Sequence, residues 1–423
     1  ATAAQSLTLF GYNLTNASLA LSTTKISGNA SVSLPSGPSV SLAFNITPTS
    51  FSGTVTHDLT IMGWTFTTMK LTMTDTSFTG AGKVDLPGGS KATADLTFTP
   101  TTVTGSASLS SGKLLSWTST SISVSFSNNS LVGTASLKLG TTPSFTQSFN
   151  VTITPTGISG SATVAGPTLM GWTLATGSLT LNGLAVTGTL DITVPGIAKT
   201  SYLVDASPTK LDITYAGSIT VMGYDVTNAD LRIAGSTMTG SFKLAVPGLT
   251  STQFTVAAST TKFEATATGQ ITVCGWDAAE ASLKLANSAI TGTGKIDILG
   301  VKPTFDFIVN PTGASGKYEQ NMDFPLPGGK KVTIENCKLT LDTTNGMRGT
   351  GRLKLQNVTL ANADFGIAKS GSITGIAYLG LGANSVKCNF TLTSSSISLT
   401  GSMSASASCT VPVPLISDPT FSL

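Results

Sequence analysis

The chain has 423 residues, of which 40% are apolar and 10% are charged, and its formal net charge is +3. This composition is too apolar for a disordered chain, and a charge so near neutral indicates neither nucleic-acid binding nor attraction to an anionic membrane. No run of 18 apolar residues occurs, so the sequence predicts no membrane-spanning helix.

The chain begins with one predicted strand that looks like the second half of an internal hairpin. Ser6–Tyr12 restates Ser218–Tyr224, which is the return strand of a hairpin further along the chain. We therefore divide the sequence into an N-terminal return strand at 1–16, tandem hairpin repeats at 17–408 and a C-terminal strand at 409–423.

Three short marks recur along the chain and define the repeat. The first is glycine, once serine, followed by an aromatic residue, and it occurs at intervals of 52 to 55 residues: Gly11-Tyr12, Gly63-Trp64, Ser116-Trp117, Gly171-Trp172, Gly223-Tyr224 and Gly275-Trp276, with altered copies at Gly328-Gly329 and Gly380-Leu381. The second is a glycine, usually after threonine: Gly28, Gly80, Gly133, Gly188, Gly240, Gly292, Gly349 and Gly401. The third is Pro-Thr, at Pro48, Pro100, Pro155, Pro208 and Pro311. Eight units of roughly 53 residues therefore account for residues 1–423 as one continuous array.

Each unit is predicted to contain two β-hairpins. The first type is exemplified by Ser178–Leu181, a short turn and Thr187–Gly196, with apolar residues at alternate positions. The second type is exemplified by Phe149–Thr154, the turn Pro155–Gly157 and a return strand that ends near Trp172. Proline fixes φ and glycine accepts positive φ, so both residues favour turns at these points. The pattern predicts about 32 strands and essentially no helix.

The alternation of apolar and hydroxyl side chains indicates how the strands pack. In Ser121–Phe126, serines alternate with apolar residues, which places one set in a core and the other in water. We predict an all-β, elongated, antiparallel two-sheet sandwich or solenoid, with first-type hairpins in one sheet and second-type hairpins in the facing sheet. The alternative is an eight-bladed β-propeller, although propeller blades are buried on both faces.

The C-terminal strand restates the opening strand of a second-type hairpin. Asp418–Leu423 matches Lys302–Phe307 and Thr142–Phe145. An unpaired strand edge is a template for another strand, so we predict that the two ends meet between successive molecules. The predicted polymer interface contains Leu7, Leu9, Phe10, Pro419, Phe421 and Leu423.

The functional expectation is a secreted structural protein, a subunit of an extracellular filament or surface matrix that assembles head to tail by strand complementation. The chain is then its own partner, and we expect neither enzymatic activity nor a cofactor. The alternatives are a monomeric, propeller-like module that binds carbohydrate or protein, a lipid-carrying β-groove and an outer-membrane barrel. The opening Ala1–Gln5, which has no initiator methionine, also suits a protein cleaved after a signal peptide.

Few residues in the sequence suggest chemistry. His57 is the only histidine, which argues against most general-base, triad and zinc chemistry. Asp342–Gly346 opens like a calcium loop but lacks the closing glutamate, so we predict a long turn. A weak metal hypothesis is carried by two acidic pairs that follow Gly-aromatic marks, Asp225 with Asp230 and Asp277 with Glu280. The repeated aromatic residues could form a carbohydrate platform, but packing anchors are the favoured interpretation.

Cysteines and sequons are compatible with an extracellular location. Cys388 and Cys409 flank a turn expected near Ser398 and are predicted to form a disulfide, and Cys274 with Cys337 is a weaker pair whose alternative is two buried thiols. Eight Asn-x-Ser/Thr sequons offer possible glycosylation sites, in a number that chance nearly explains, at Asn13, Asn16, Asn29, Asn45, Asn128, Asn150, Asn357 and Asn389.

Overall fold

The computed structural model describes residues 5–402 except 36, 128, 167, 356–357 and 382–383. It contains 33 strands, and the helical residues among those described form a single 3-10 turn at Pro327–Gly329. The predicted all-β repeat fold is therefore confirmed. No helix among the described residues is long and apolar enough to cross a membrane.

The strands follow one another with short turns between them. The first eighteen are β1 (Gln5–Leu9), β2 (Tyr12–Leu21), β3 (Ile26–Ser33), β4 (Ser39–Thr47), β5 (Ser50–Ile61), β6 (Trp64–Thr74), β7 (Phe78–Asp85), β8 (Lys91–Phe98), β9 (Val103–Leu109), β10 (Gly112–Leu114), β11 (Trp117–Ser127), β12 (Ser130–Leu139), β13 (Phe145–Thr154), β14 (Gly157–Val164), β15 (Thr168–Leu169), β16 (Trp172–Asn182), β17 (Ala185–Thr193) and β18 (Thr200–Ala206). The remaining fifteen are β19 (Leu211–Val221), β20 (Tyr224–Ala234), β21 (Thr237–Val246), β22 (Leu249–Ser259), β23 (Phe263–Val273), β24 (Trp276–Ala286), β25 (Ala289–Ile296), β26 (Thr304–Asn310), β27 (Gly313–Leu326), β28 (Lys330–Asp342), β29 (Gly346–Leu355), β30 (Val358–Ala368), β31 (Ser372–Leu381), β32 (Asn384–Leu392) and β33 (Ile397–Ser402).

Hydrogen bonding joins these strands into one antiparallel sheet. First-type and second-type hairpins alternate in the same ladder: β12 pairs with β13 from Leu131↔Ile153 to Leu139↔Phe145, and β14 pairs with β16. The hairpins are therefore not sorted into two separate sheets, and the ladder does not divide into four-stranded propeller blades. The physical reason is that each strand has two edges of backbone donors and acceptors. Its partner within the hairpin pairs with one edge, and a strand of the adjacent hairpin pairs with the other.

The chain forms two compact units. The first holds the described residues of Ala1–Thr193, Lys199–Thr214 and Ile233–Ser236, and the second holds those of Val194–Ala198, Tyr215–Arg232 and Thr237–Leu423. Strands β19 and β20 contribute residues to both units.

Within each unit the apolar face of the sheet packs on itself. The eight residues of β8 alternate strictly between exposed and buried. Rings on strands that are not neighbours in the ladder meet across the core of the first unit, since the Tyr12 and Phe78 centroids lie 5.4 Å apart and those of Phe66 and Phe126 lie 5.5 Å apart. One sheet thus provides both layers that the alternation pattern predicts.

A β-bulge recurs four residues after the aromatic mark. Asn16, Thr68, Asn228 and Glu280 occupy this position with φ between 50° and 53°, and the ladder register shifts there, for example between Thr15 and Ser18. Bulges bend a strand and increase its twist, so this repeated feature helps the sheet to fold back on itself.

The second sequence mark, a recurring glycine, has a steric cause. A Cβ added to Gly188 or Gly292 would lie 2.0 Å from the carbonyl oxygen of Ser178 or Ser282 on the preceding strand. No side chain fits at that distance, so these positions require glycine.

The two altered marks also lie at strand ends, and Gly328-Gly329 is part of the 3-10 turn Pro327–Gly329. The seventh turn is the 3-10 turn after Leu326, which pairs with Lys330. Gly380-Leu381 ends strand β31, where Leu381 pairs with Asn384.

Candidate functional site

In several repeats the turn that precedes the aromatic mark is held by a second turn from the same repeat. In Met62-Gly63 both residues have positive φ, 49° and 77°, as in a type I′ hairpin turn. The backbone N–H of Met222 donates to the carbonyl of Gly196 at 2.5 Å, and that of Cys274 donates to Gly248 at the same distance. The Pro-Gly turn therefore holds the turn that presents the aromatic residue.

The aromatic residues connect each repeat to the next one. The indole N–H groups of Trp117 and Trp172 donate to the carbonyls of Gly183 and Gly235, both at 2.8 Å, and Trp64 donates to Asn129 at 3.3 Å. In each case the acceptor lies in the tip of the first-type hairpin of the following repeat. These three indoles are at most 1% exposed, so they are packing anchors and no sugar could stack on them.

The two tyrosine marks reach the other hairpin of the following repeat. Tyr12 donates its hydroxyl to the carbonyl of Phe98 at 2.7 Å, and Tyr224 donates to that of Val309 at 2.9 Å. Burial raises the pKa of both phenols, so both remain protonated donors at neutral pH. The aromatic turn of one repeat thus covers the hairpin tips of the next.

In the second and fourth repeats, apolar residues seven and nine positions after the aromatic mark lie beneath this cover. Leu71 and Met73 are 0% exposed, and Leu179 and Leu181 are 1% exposed. Phe126, at the same position, forms the ring contact with Phe66 of the preceding repeat. Burial of these residues therefore depends on the repeat that precedes them.

The first repeat lacks this cover in the described part of the chain. The corresponding residues, Leu19 and Leu21, are 38% and 79% exposed, and Phe10 is 46% exposed. The pairing described for β1 is with β2, from Gln5↔Ala17 to Leu9↔Tyr12. Among the described residues, the N-terminal end of the array therefore presents a sheet edge with an uncovered apolar tip, which we call the N-terminal edge (β1, Phe10, Leu19 and Leu21).

The predicted interface residues fall partly within this edge. Leu7 pairs with Leu14 in the ladder, Leu9 is half-buried, and the ring of Phe10 lies 5.6 Å from that of Phe51. Pro419, Phe421 and Leu423 lie outside the described residues. Leu19 and Leu21 were not predicted from the sequence, because their counterparts in other repeats, such as Leu179 and Leu181, are core residues.

The acidic residues of the weak metal hypothesis are exposed and do not come together. Asp225 accepts a hydrogen bond from Thr220 at 2.9 Å, and Asp277 accepts one from Thr272 at 2.7 Å. These pairs flank the aromatic turn at equivalent positions of two repeats. Glu280 pairs with Lys295, whose hydrogen bond lowers the pKa of this carboxyl, and Asp230 lies on the exposed face. Within the described ranges no three potential ligands lie close enough to hold a metal ion.

His57 and Asp342 have simple surroundings. His57 is exposed on β5, and its neighbour Asp58 accepts the backbone N–H of the bulge residue Thr68 at 2.7 Å. Asp342 accepts the backbone N–H groups of Thr344 and Asn345 at 2.8 and 2.6 Å, which lowers the pKa of Asp342. The structure places a three-residue turn at 343–345, between β28 and β29, which is no longer than the turn at 75–77 between β6 and β7.

Each cysteine thiol in the described part of the chain is free. Cys274 donates to the carbonyl of Ala314 at 3.1 Å, whereas Cys337 is buried beside the sulfur of Met322 at 3.8 Å, so the weaker predicted bridge is not formed. Burial raises the pKa of the first thiol to about 11 and that of the second to about 12.

The last first-type hairpin has a different register from the predicted one. Its turn spans 393–396, between Leu392 and Ile397, and places Gly401 opposite Cys388. The Oγ1 atom of Thr393 fixes this turn by accepting the N–H of Ser396 at 3.1 Å. A turn near Ser398 is therefore wrong, and Cys409 lies outside the described residues.

Comparisons with known proteins do not place the chain in a family. No protein-family model, no curated protein sequence and no solved structure matches it.

Proposed function

We propose that the chain is an extracellular structural subunit that assembles head to tail. In this proposal the C-terminal segment of one copy continues the sheet at the N-terminal edge of the next copy. The observation that carries the proposal is the exposure of Leu19 and Leu21, because the second and fourth repeats bury both corresponding positions, at Leu71, Met73, Leu179 and Leu181.

The internal strand β26 supplies the template for the joint. Phe305 and Phe307 are 0% and 1% exposed, and Phe307 pairs with Gly316 on the return strand β27. Asp418–Leu423 repeats this strand with Phe421 and Leu423 at the same alternate positions. Because β1 corresponds to the later part of a return strand, beyond the ladder that joins β26 to β27, a donor strand from another copy would add along the edge of β1 that faces away from β2.

The chemistry of the outer face suits a protein that works among neighbouring molecules outside the cell. The outward positions of the first repeats are mainly Ser, Thr and Asn, as in β4, where Ser39, Ser41 and Asn45 are exposed. Such a face is hydrated but weakly charged. A heterologous contact between one end and the other gives an open filament unless the rotation closes it into a ring.

Removal of residues 414–423 tests the proposal. The intact protein is expected to form fibres visible by negative-stain electron microscopy, and the truncated protein is expected to remain folded and monomeric by light scattering and circular dichroism. A matched control replaces Ser422, predicted to face outward, with alanine and should still assemble. The proposal fails if truncated protein still forms fibres, or if intact protein is monomeric at all concentrations and truncation only lowers its melting temperature, as intramolecular closure requires.

A synthetic peptide supplies a second test. The peptide of residues 414–423 should bind the truncated chain with a one-to-one stoichiometry and should stop fibre growth of the intact chain. A peptide with Phe421→Ser and Leu423→Ser keeps the length and the proline positions and should do neither. Equal binding of both peptides would contradict a strand held by its apolar side chains.

A further inference from the structure

Asparagine use in the first repeat differs from that in the rest of the chain. The first repeat contains four asparagines, and each lies in a sequon: Asn13, Asn16, Asn29 and Asn45. The other 14 asparagines contribute four sequons, which is the number that a Ser plus Thr content of about 29% predicts. By the same chance, four sequons from four asparagines would occur in about one sequence in a hundred.

The structure places all four side chains on the outer face of three adjacent strands. Each of the four is exposed. Ser18 pairs with Asn29, and Ser27 pairs with Asn45, so Asn29 and Asn45 are diagonal neighbours, roughly 7 to 8 Å apart. The residues that alternate with them, such as Phe44, are buried. A group attached to these asparagines would therefore project into solvent and leave the core unchanged.

The local contacts of Asn13 and Asn16 are compatible with attachment of a sugar to the amide nitrogen Nδ2. Asn13 uses Oδ1 to accept the hydroxyl of Thr8 at 3.0 Å, and a glycan is attached through the other amide atom, Nδ2. Asn16 lies at the bulge, with φ of 53°, where the strand bends and the side chain stands clear of the ladder.

We propose that the first repeat is N-glycosylated at Asn13, Asn16, Asn29 and Asn45, and this inference rests on the proposed export of the protein. The co-reactant is an oligosaccharide linked through a pyrophosphate to a lipid carrier. The amide Nδ2 forms a bond to C1 of the sugar, the bond from C1 to the phosphate oxygen breaks, the lipid pyrophosphate leaves, and the amide nitrogen loses one proton. The cell's transferase carries out this reaction.

Glycans at these positions would restrict the geometry of assembly. They occupy the outer face of β2, β3 and β4, which are the strands beside the N-terminal edge. A second copy can then add strands in line with the sheet, but it cannot stack on the outer face of the first repeat. Sugars here therefore select the head-to-tail joint over lateral association.

Peptide mass spectrometry of protein purified from its producing cells tests the modification. Trypsin cuts after Lys25 and Lys70, so peptide 1–25 holds the first two sites and peptide 26–70 holds the other two. Both peptides are expected to carry glycan mass, with fragmentation placing it on asparagine. Peptide 211–232, whose Asn228 is not part of a sequon, is the control and is expected at its sequence mass. The proposal is overturned if peptides 1–25 and 26–70 both run at their sequence masses.

Sequon variants separate N-linked from O-linked sugar and from effects on folding. Thr15→Ala and Thr47→Ala should remove the modification at Asn13 and Asn45, whereas Thr15→Ser and Thr47→Ser should retain it. Each alanine variant should lose the mass of one glycan from its peptide, and an unchanged sugar mass would overturn the proposal, because the sugar assigned to Asn13 or Asn45 would be linked to hydroxyls. Fibres built from unmodified protein would reject the glycan proposal alone, and modified protein that never assembles would reject the assembly proposal alone.

Discussion

The uncovered tip of the first hairpin gives the sharpest prediction. The double variant Leu19→Ser with Leu21→Ser should weaken assembly while leaving the folded chain intact. Leu21 is 79% exposed and Leu19 is 38% exposed. A neighbouring copy could cover both as completely as the preceding repeat covers Leu179 and Leu181. It would then bury slightly more than the area of one leucine side chain.

The magnitude follows from that area. Burying a leucine side chain stabilises a complex by about 1.5 to 3 kcal/mol, so the two substitutions together should cost the joint roughly 2 to 3 kcal/mol, or about 30- to 150-fold in dissociation constant. The folded monomer should change by less than about 0.5 kcal/mol, since exposed substitutions have small effects. The assay is binding of the truncated variant to a labelled peptide of residues 414–423, or the critical concentration for fibre formation by light scattering.

An internal control separates the effect of the exposed hairpin tip from the effect of replacing leucines at the same two positions of a covered repeat. Leu179→Ser with Leu181→Ser alters the same two positions of the fourth repeat, where both side chains are 1% exposed. This variant should lose several kcal/mol of stability, because each buried large-to-small substitution costs about 2 to 5 kcal/mol. If the variant at Leu19 and Leu21 assembled as well as the unaltered chain, or unfolded as readily as the control, the assignment of the N-terminal edge as a joint would be wrong.

Three further predictions concern the repeat itself. Gly292→Ala should destabilise the chain by roughly 1 to 3 kcal/mol in urea unfolding, because the added Cβ must force a backbone carbonyl aside. Gly166 has open space around it, so Gly166→Ala should change stability by less than about 0.5 kcal/mol. Equal effects of the two substitutions would contradict the close approach at Gly292. Trp117→Phe should lower the stability of the chain by about 1 to 3 kcal/mol, because the carbonyl of Gly183 loses its indole donor. Amide hydrogen exchange should become faster at the hairpin tip that contains Gly183. Unchanged exchange there would contradict the role of Trp117 as a link between repeats. Asp342→Asn should lower the free energy of unfolding at pH 7. Because a carboxyl with a lowered folded-state pKa stabilises the protein only when ionised, the difference in stability from the unaltered chain should shrink below about pH 4. A difference in stability that persisted at pH 2 would exclude the charge as its cause.

Local chemistry made most of the fold predictable from sequence. Proline followed by threonine indicates the turn between β4 and β5, where Thr47 pairs with Ser50, and alternation of apolar residues identifies the strands and their buried faces. The glycine marks were recognised as a repeat, but their cause was not, because the clash of a Gly292 Cβ with Ser282 becomes visible only when the two strands are placed side by side.

Features that depend on contacts between distant repeats could not be predicted. The sequence contains no signal that separates two facing sheets from one sheet folded on itself, since both arrangements bury the same alternate residues. The turn of the last hairpin was misplaced because the serines and threonines around 393–398 offer several equivalent turn positions. The sequence of a single repeat predicts Leu21 to be a core residue. Leu21 is exposed because this position is covered by the preceding repeat, and the described part of the chain contains no repeat before the first.

The lengths of the ladders indicate where an assembly of this kind would break. The second-type hairpin of β4 and β5 pairs from Ala43↔Thr54 to Thr47↔Ser50, which is shorter than the ladder that joins β12 to β13. Inside the chain a Pro-Thr turn also holds the two short strands together, which gives them a high effective concentration. A joint between copies has no such turn, so the apolar tip must supply much of its stability. Dilution should therefore separate fibres into folded single chains before any repeat unfolds, and a loss of scattering that coincided with loss of β-sheet circular dichroism would contradict this argument.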